Sequence, residues 1–226
     1  MIHMVNREIW SFYVSHFSEI RLSHYVDECG GDLVRARRLY EWNVTVSAAI
    51  WESFAYFEVA FRNALNERLQ DIHDEKGRTG HWIFDEACEL GRDPTDAHRH
   101  RYPFRDIWVA QRHVVGNGKA LTVDQILSEL PFGFWHQMVS KRQLFLWPDL
   151  ARAFPGASNR AQETVSEPVG RLRVLRNRIG HHHRIWSSDI AARYSDIQTV
   201  AGYLDADLTE WIHTRSRVSM LIAERP

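Results

Sequence analysis

Apolar residues recur along the chain at intervals of three and four. From Ile50 they fall at Ile50, Phe54, Phe57, Phe61, Leu65 and Leu69, one face of an α-helix. The pattern predicts a long amphipathic helix over about Leu39–Gln70, broken by Gly77 and Gly80. An earlier helix is predicted over residues 3–28, with Trp10, Phe12, Tyr13 and Phe17 among its aromatics. Gly30-Gly31 closes it, and Asp32 is placed to cap the next helix. The middle of the chain is less regular, and residues 91–104, GRDPTDAHRHRYPF, read as loop or short helices. Arg105–His113 reads as helix stopped by Gly116-Asn117-Gly118, and Thr122 or Asp124 opens another. Pro131 and Gly133 interrupt that one before FWHQMVSKR, and Pro148, Pro155 and Gly156 bracket a short helical piece.

Clear helical periods return in the last third. Pro168 fits the first turn of a helix, where its missing donor costs nothing. Val169, Leu172, Leu175 and Ile179 make its stripe, and Gly180 is placed to terminate it. Ile190, Tyr194, Ile197, Ala201 and Leu204 form another stripe, followed by a last helix through Trp211. No internal repeat and no run of strands emerges. The expected fold is all-α, one domain over residues 1–226, an antiparallel helical bundle with helical and loop insertions in its middle.

Composition adds little to this and excludes much. Hydrophobic residues at 44% and charged residues at 25% are ordinary globular values, and nine Trp with 11 Phe supply a sizeable core. The net charge of -1 gives no global field for nucleic acid or membrane, so any such surface has to be a local patch. Cys29 and Cys88 have no CxxC spacing, which points to neither a disulfide framework nor a zinc ribbon. The N-terminus lacks the basic and apolar regions of a signal peptide, and no run approaches the roughly 18 apolar residues of a spanning helix. A reduced, cytoplasmic protein without a membrane partner is expected. There are 13 His and only three Lys, so Arg makes up nearly all of the 28 basic residues.

One segment departs from this background. Residues 171–184, RLRVLRNRIGHHHR, hold five arginines and three histidines, with no acid between Glu167 and Asp189. A basic run is commonly a solvated helix face. Geometry argues otherwise here, because at about 100° per residue Arg176 lies about 40° from Leu172 and falls within the apolar stripe. An obligate cation on a core-facing stripe needs either a carboxylate or an anionic ligand. Arg176 and His181 are about 140° apart on a continuous helix. If Gly180 ends the helix, His181 can fold back toward Arg176, with Asn177 between them to orient the imidazole or contact a phosphate oxygen. Arg with His suffices for metal-independent RNA cleavage. The imidazole moves the 2′-hydroxyl or leaving-group proton, and the guanidinium stabilises charge on the phosphorane.

Arg176-Asn177-x-x-x-His181 resembles the Arg-(four to six residues)-His signature of HEPN domains. More closely, the chain resembles the Abi-like abortive-infection family of the AbiD and AbiF type. The supporting stretches are FEVAFRNALNERL at 57–69, LPFGFWHQMVS at 130–140 and LWPDLARAFP at 146–155. The resemblance spans roughly residues 40–205. The resemblance implies a HEPN-like bundle, usually a homodimer with paired motifs facing across the interface, acting as an endoribonuclease in toxin or antiviral systems. Other members are non-catalytic RNA-binding modules. A cognate antitoxin or a phage-derived trigger is the further partner it implies. This chain departs from the family in one place: HHHRIW stands where an acidic residue and Pro commonly come after the double His.

Arg176, His181 and Asn177 are the catalytic candidates, with His182 in reserve for the acid/base role. Glu58, Arg62 and Asn63 on the first long helix are supporting candidates: Glu58 pairs with Arg62 at i, i+4, or, as the family resemblance implies, with Arg176 in a polar layer beside the cleft. Arg173, Arg178 and Arg184 are expected to bind RNA, and Trp186, beside a basic loop, to stack on an unpaired base. No cofactor and no metal are expected, since the three consecutive histidines diverge and lack an acidic companion. His98 and His100 read as solvated loop residues. The rival readings are a non-catalytic RNA-binding or regulatory module, and a toxin whose charged segment is a protein interface.

Overall fold

The computed structural model describes residues 2–85 and 104–226, with side chains from residue 9 onward. The segment read as loop, up to residue 103, lies outside the described residues, as do His98, His100 and Cys88. Within them the chain is all-α, without strands. In order it forms α1 (Ile2–Phe17), α2 (Glu19–Glu28), α3 (Leu33–Glu75), α4 (Phe104–Gly116), α5 (Val123–Glu129) and α6 (Phe132–Met138). Then come α7 (Trp147–Leu150), α8 (Gln162–Gly180), α9 (Ile190–Leu204), α10 (Ala206–Arg215) and α11 (Val218–Ala223), with short 3-10 turns between some of them.

The spine is α3, 43 residues and so about 65 Å long. The Asp32 side chain caps it, accepting from Val34 and Arg35 N–H at 2.9 and 3.1 Å. Every position of the predicted stripe from Ile50 to Leu69 is buried. Phe54, Phe57 and Phe61 meet Phe132 of α6 ring to ring, and burying each such ring stabilises the fold by about 1.5–3 kcal/mol. Helices α2, α6, α8, α9, α10 and α11 all pack on α3, and α8 also lies against α9. The motif helix is thereby fixed on two sides.

Four local expectations need correction. Residues 3–28 are two helices, because Ser18 takes φ 67 and caps α2 by accepting from Arg21 N–H. Pro168 is not in a first turn: α8 begins six residues earlier at Gln162, and Pro168 lies inside it. Asn159 Oδ1, outside the helix, supplies the N-terminal acceptor by receiving Ala161 N–H at 2.9 Å. Gly133 lies within α6 rather than interrupting it. The helix through Trp211 is followed by another, α11. The loop before α8 approaches α9 so closely that a Cβ on Gly156 would meet Gly202 O at 2.4 Å.

One buried cation joins α3 to α7. Arg68 is 7% exposed. Its Nε donates to Asp149 O at 3.0 Å, and its two Nη atoms reach Asp71 and Glu75 at 3.1–3.3 Å. Every nitrogen of the fork has an acceptor.

Candidate nucleic-acid interface

Helix α8 ends in a turn of defined geometry. His181 N–H closes the last α-helical bond to Asn177 O at 3.0 Å. His182 N–H then donates to Ile179 O at 2.9 Å, and His183 N–H to Arg178 O at 2.7 Å. These two bonds make a Schellman motif, whose first residue past the cap is usually Gly in the left-handed region. Here that residue is His182, at φ 54. Gly180, expected to terminate the helix, is instead its last member.

Long-range bonds fix the turn. Arg21 Nη1 on α2 donates to His182 O at 2.6 Å. Asn43 on α3 is 5% exposed, and its Oδ1 accepts from both Ile185 N–H at 2.8 Å and Trp186 N–H at 3.1 Å. Arg178 closes the same loop by donating through Nη2 to Arg184 O. Neither Arg21 nor Asn43 carries a sequence signal, because each acts across more than a hundred residues.

A cleft of about 670 Å³ opens between α2, α3 and the end of α8. Arg176, His182 and His183 line its polar side; Tyr25, Tyr40 and Trp51 line the apolar side. The Arg176 guanidinium sits over the Trp51 ring, 5.1 Å from its centroid. Glu58 approaches Arg176 Nε at 3.9 Å, an ion pair too long to be a hydrogen bond, and that buried Nε has no hydrogen-bond partner. Burial pushes the Glu58 carboxyl above its usual range, and the charges of Arg176 and Arg62 pull it part of the way back. Of the two partners open to Glu58, the structure pairs it with Arg176. Arg62 Nε instead reaches Asn63 Oδ1 at 3.4 Å.

Other candidates fall elsewhere. His181 is exposed, its ring 5.9 Å from that of His183, and it is not among the residues lining the cleft. Asn177 is exposed on α8. Arg173 is exposed and lines neither this cleft nor the adjoining one; burial and the charges of Arg173 and Arg142 hold His136 below its ordinary pKa. Trp186 is not a free stacking platform. With its backbone N–H held by Asn43, its ring turns inward and packs on the core 5.9 Å from Tyr25.

A second, adjoining groove of about 350 Å³ carries Arg178 and Arg184 together with Arg21 and His24. Among the described residues, no group of three or more His, Cys, Asp or Glu side chains is arranged to hold a metal ion. No helix of the described residues is long and apolar enough to cross a membrane. Comparisons of the chain with family models, curated proteins and solved structures give no match.

Proposed function

We propose that the protein is a metal-independent endoribonuclease of the HEPN, Abi-like kind, cleaving RNA at the Arg176 cleft. The observation that carries this reading is one arginine and two histidines lining a single cleft at the end of α8, together with Tyr25, Tyr40 and Trp51, the last of them beneath the guanidinium. In the reaction the 2′-oxygen attacks phosphorus, a P–O2′ bond forms and the P–O5′ bond breaks. A histidine of the turn takes the 2′-hydroxyl proton, and a histidine returns a proton to the departing 5′-oxygen. Arg176 neutralises charge on the non-bridging oxygens. The products are a 2′,3′-cyclic phosphate and a 5′-hydroxyl.

Within one chain His182 and His183 line the same cleft as Arg176, while His181, exposed as they are, does not. A second copy gives His181 its place. Val44, Ala48, Trp51, Ala55 and Val59 form a second stripe along α3, exposed and at helical spacing, of which the first three line the cleft itself. Val44 is 54% and Val59 46% exposed. In this reading the two-fold contact lies beside this stripe, so that the two clefts and their His181 side chains meet across one axis. The functional unit is then a homodimer acting in abortive infection, restrained by an antitoxin or released by a phage-derived trigger.

Incubation of the pure protein with RNA in excess EDTA tests this reading. Cleavage giving cyclic phosphate termini, lost in Arg176→Ala and in His181→Ala, is the expected result. Binding without cleavage would replace it with the non-catalytic RNA-binding module, which the exposed position of His181 in the single chain favours.

A further inference from the structure

We infer that the groove on the α2 side of the His181–His183 turn is a second phosphate subsite, holding the backbone phosphate next to the scissile one on the same single-stranded RNA. This rests on the RNA reading of the Arg176 cleft. The groove is lined by Arg21 and His24 of α2, Arg178 of α8, and His182, His183 and Arg184 of the turn. None of its lining residues is acidic. Three guanidinium groups gathered without a carboxylate repel one another, and a phosphodiester relieves that repulsion while matching their forked donors.

Two of these arginines are already immobilised. Arg21 is fixed by its bond to His182 O, and Arg178 by its bond to Arg184 O. Little side-chain entropy is left to lose when a ligand arrives. Arg178 Nε is buried with no hydrogen-bond partner, as Arg176 Nε is in the neighbouring cleft.

The two clefts adjoin. Arg21, Tyr25, His182 and His183 line both. Burial pushes the Tyr25 hydroxyl up to about 12, so it remains a neutral donor on the shared wall. A strand whose scissile phosphate lies at Arg176 therefore passes over the His182–His183 backbone and sets its next phosphate among Arg21, Arg178 and Arg184. The left-handed residue at His182 gives the turn this double-sided form, presenting the same two histidines to both grooves.

The test measures binding, without cleavage, of 2′-O-methyl RNA of two lengths: a dinucleotide with one phosphate and a hexanucleotide. The proteins are the wild type, Arg21→Gln, Arg184→Gln and a control, Lys119→Gln, exposed and outside both clefts. Losing one charge-assisted contact should weaken hexanucleotide affinity by roughly tenfold or more in either arginine variant. It should also flatten the dependence of log affinity on log salt by about 0.7. Dinucleotide affinity should stay at the wild-type level in Arg184→Gln, whose side chain lines the second groove alone, whereas Arg21→Gln, which lines both grooves and bonds the turn, should weaken both RNAs. Hexanucleotide binding unchanged in both variants overturns the subsite and leaves the nuclease reading standing. The expected losses in a protein that never cleaves RNA keep the subsite and remove the nuclease. A wild-type protein that binds neither RNA overturns both.

Discussion

Two arginines on different helices show how differently this fold treats the same side chain. Arg68, on α3, is almost wholly buried, and each nitrogen of its fork is matched by Asp149 O, Asp71 or Glu75. Arg176, on α8, has a side chain one-third exposed, an aromatic ring beneath it and one carboxylate at 3.9 Å, with its Nε unmatched. The first arrangement is complete and ties α3 to the α7 region. The second is held in position yet retains unfilled donor capacity beside an open cleft. A cation matched on all sides stabilises structure, whereas a fixed cation left partly unmatched is prepared for an anion.

Removing each arginine in turn separates the two roles. Arg176→Ala should lower RNA cleavage at least about 10²–10³-fold, the usual loss when one preorganised charge donor is deleted. Its stability should change by less than about 1 kcal/mol, since the pair it loses is long and partly exposed. Single-turnover cleavage beside a thermal melt reads both quantities. Arg68→Ala should do the reverse. Its α3–α7 contacts go, the fold should lose about 2–3 kcal/mol, and the melting midpoint should fall by roughly 5–10 °C. The cleavage rate below that midpoint should hold. A rate loss in Arg68→Ala as large as that in Arg176→Ala would erase the distinction.

A smaller effect tests the strain stored near Arg176. His182 occupies a left-handed position that Gly fills without cost. His182→Gly should stabilise the protein by roughly 1 kcal/mol while lowering cleavage. A variant both less stable and fully active would show that the turn does not place His182 for chemistry.

The least of these effects concerns pH. Burial raises Tyr25 from 10.0 to about 12. Because the folded value lies above the unfolded one, this contribution to stability is fully present below pH 10 and is lost as pH rises through about 12. Denaturant midpoints should decline across that window. The decline should be smaller in Tyr25→Phe, the rest coming from groups such as Tyr13, also raised to about 12, and the Cys29 thiol, which burial likewise pushes up.

The sequence made some of this legible and concealed the rest for identifiable reasons. The long stripe of α3 and its Asp32 cap were visible because helical period and capping are local signals. The start of α8 was hidden, since Ala161 offers no side-chain cap and Asn159 supplies the acceptor from outside the helix. Pro168 therefore looked like a beginning. At the site, Arg176 stood out as a charge on an apolar stripe, while its pairing with Glu58 was implied by the family resemblance alone, helix spacing offering only Arg62. The surrounding parts were not legible. Arg21 meets His182 across 161 positions and Asn43 meets Ile185 across 142, and no spacing rule reaches so far. Trp186 misled because an aromatic beside a basic loop looks the same in sequence whether it faces water or, as here, packs on the core.

The double acceptance by Asn43 Oδ1 also sets a timescale. Ile185 and Trp186 lie in a loop, yet both of their amides end on one buried oxygen of the longest helix. Their deuterium uptake should track the opening of α3 rather than the faster fluctuations of neighbouring loop amides. Two slow amides in a fast stretch would then serve as a clock for how often the floor beneath the cleft comes apart.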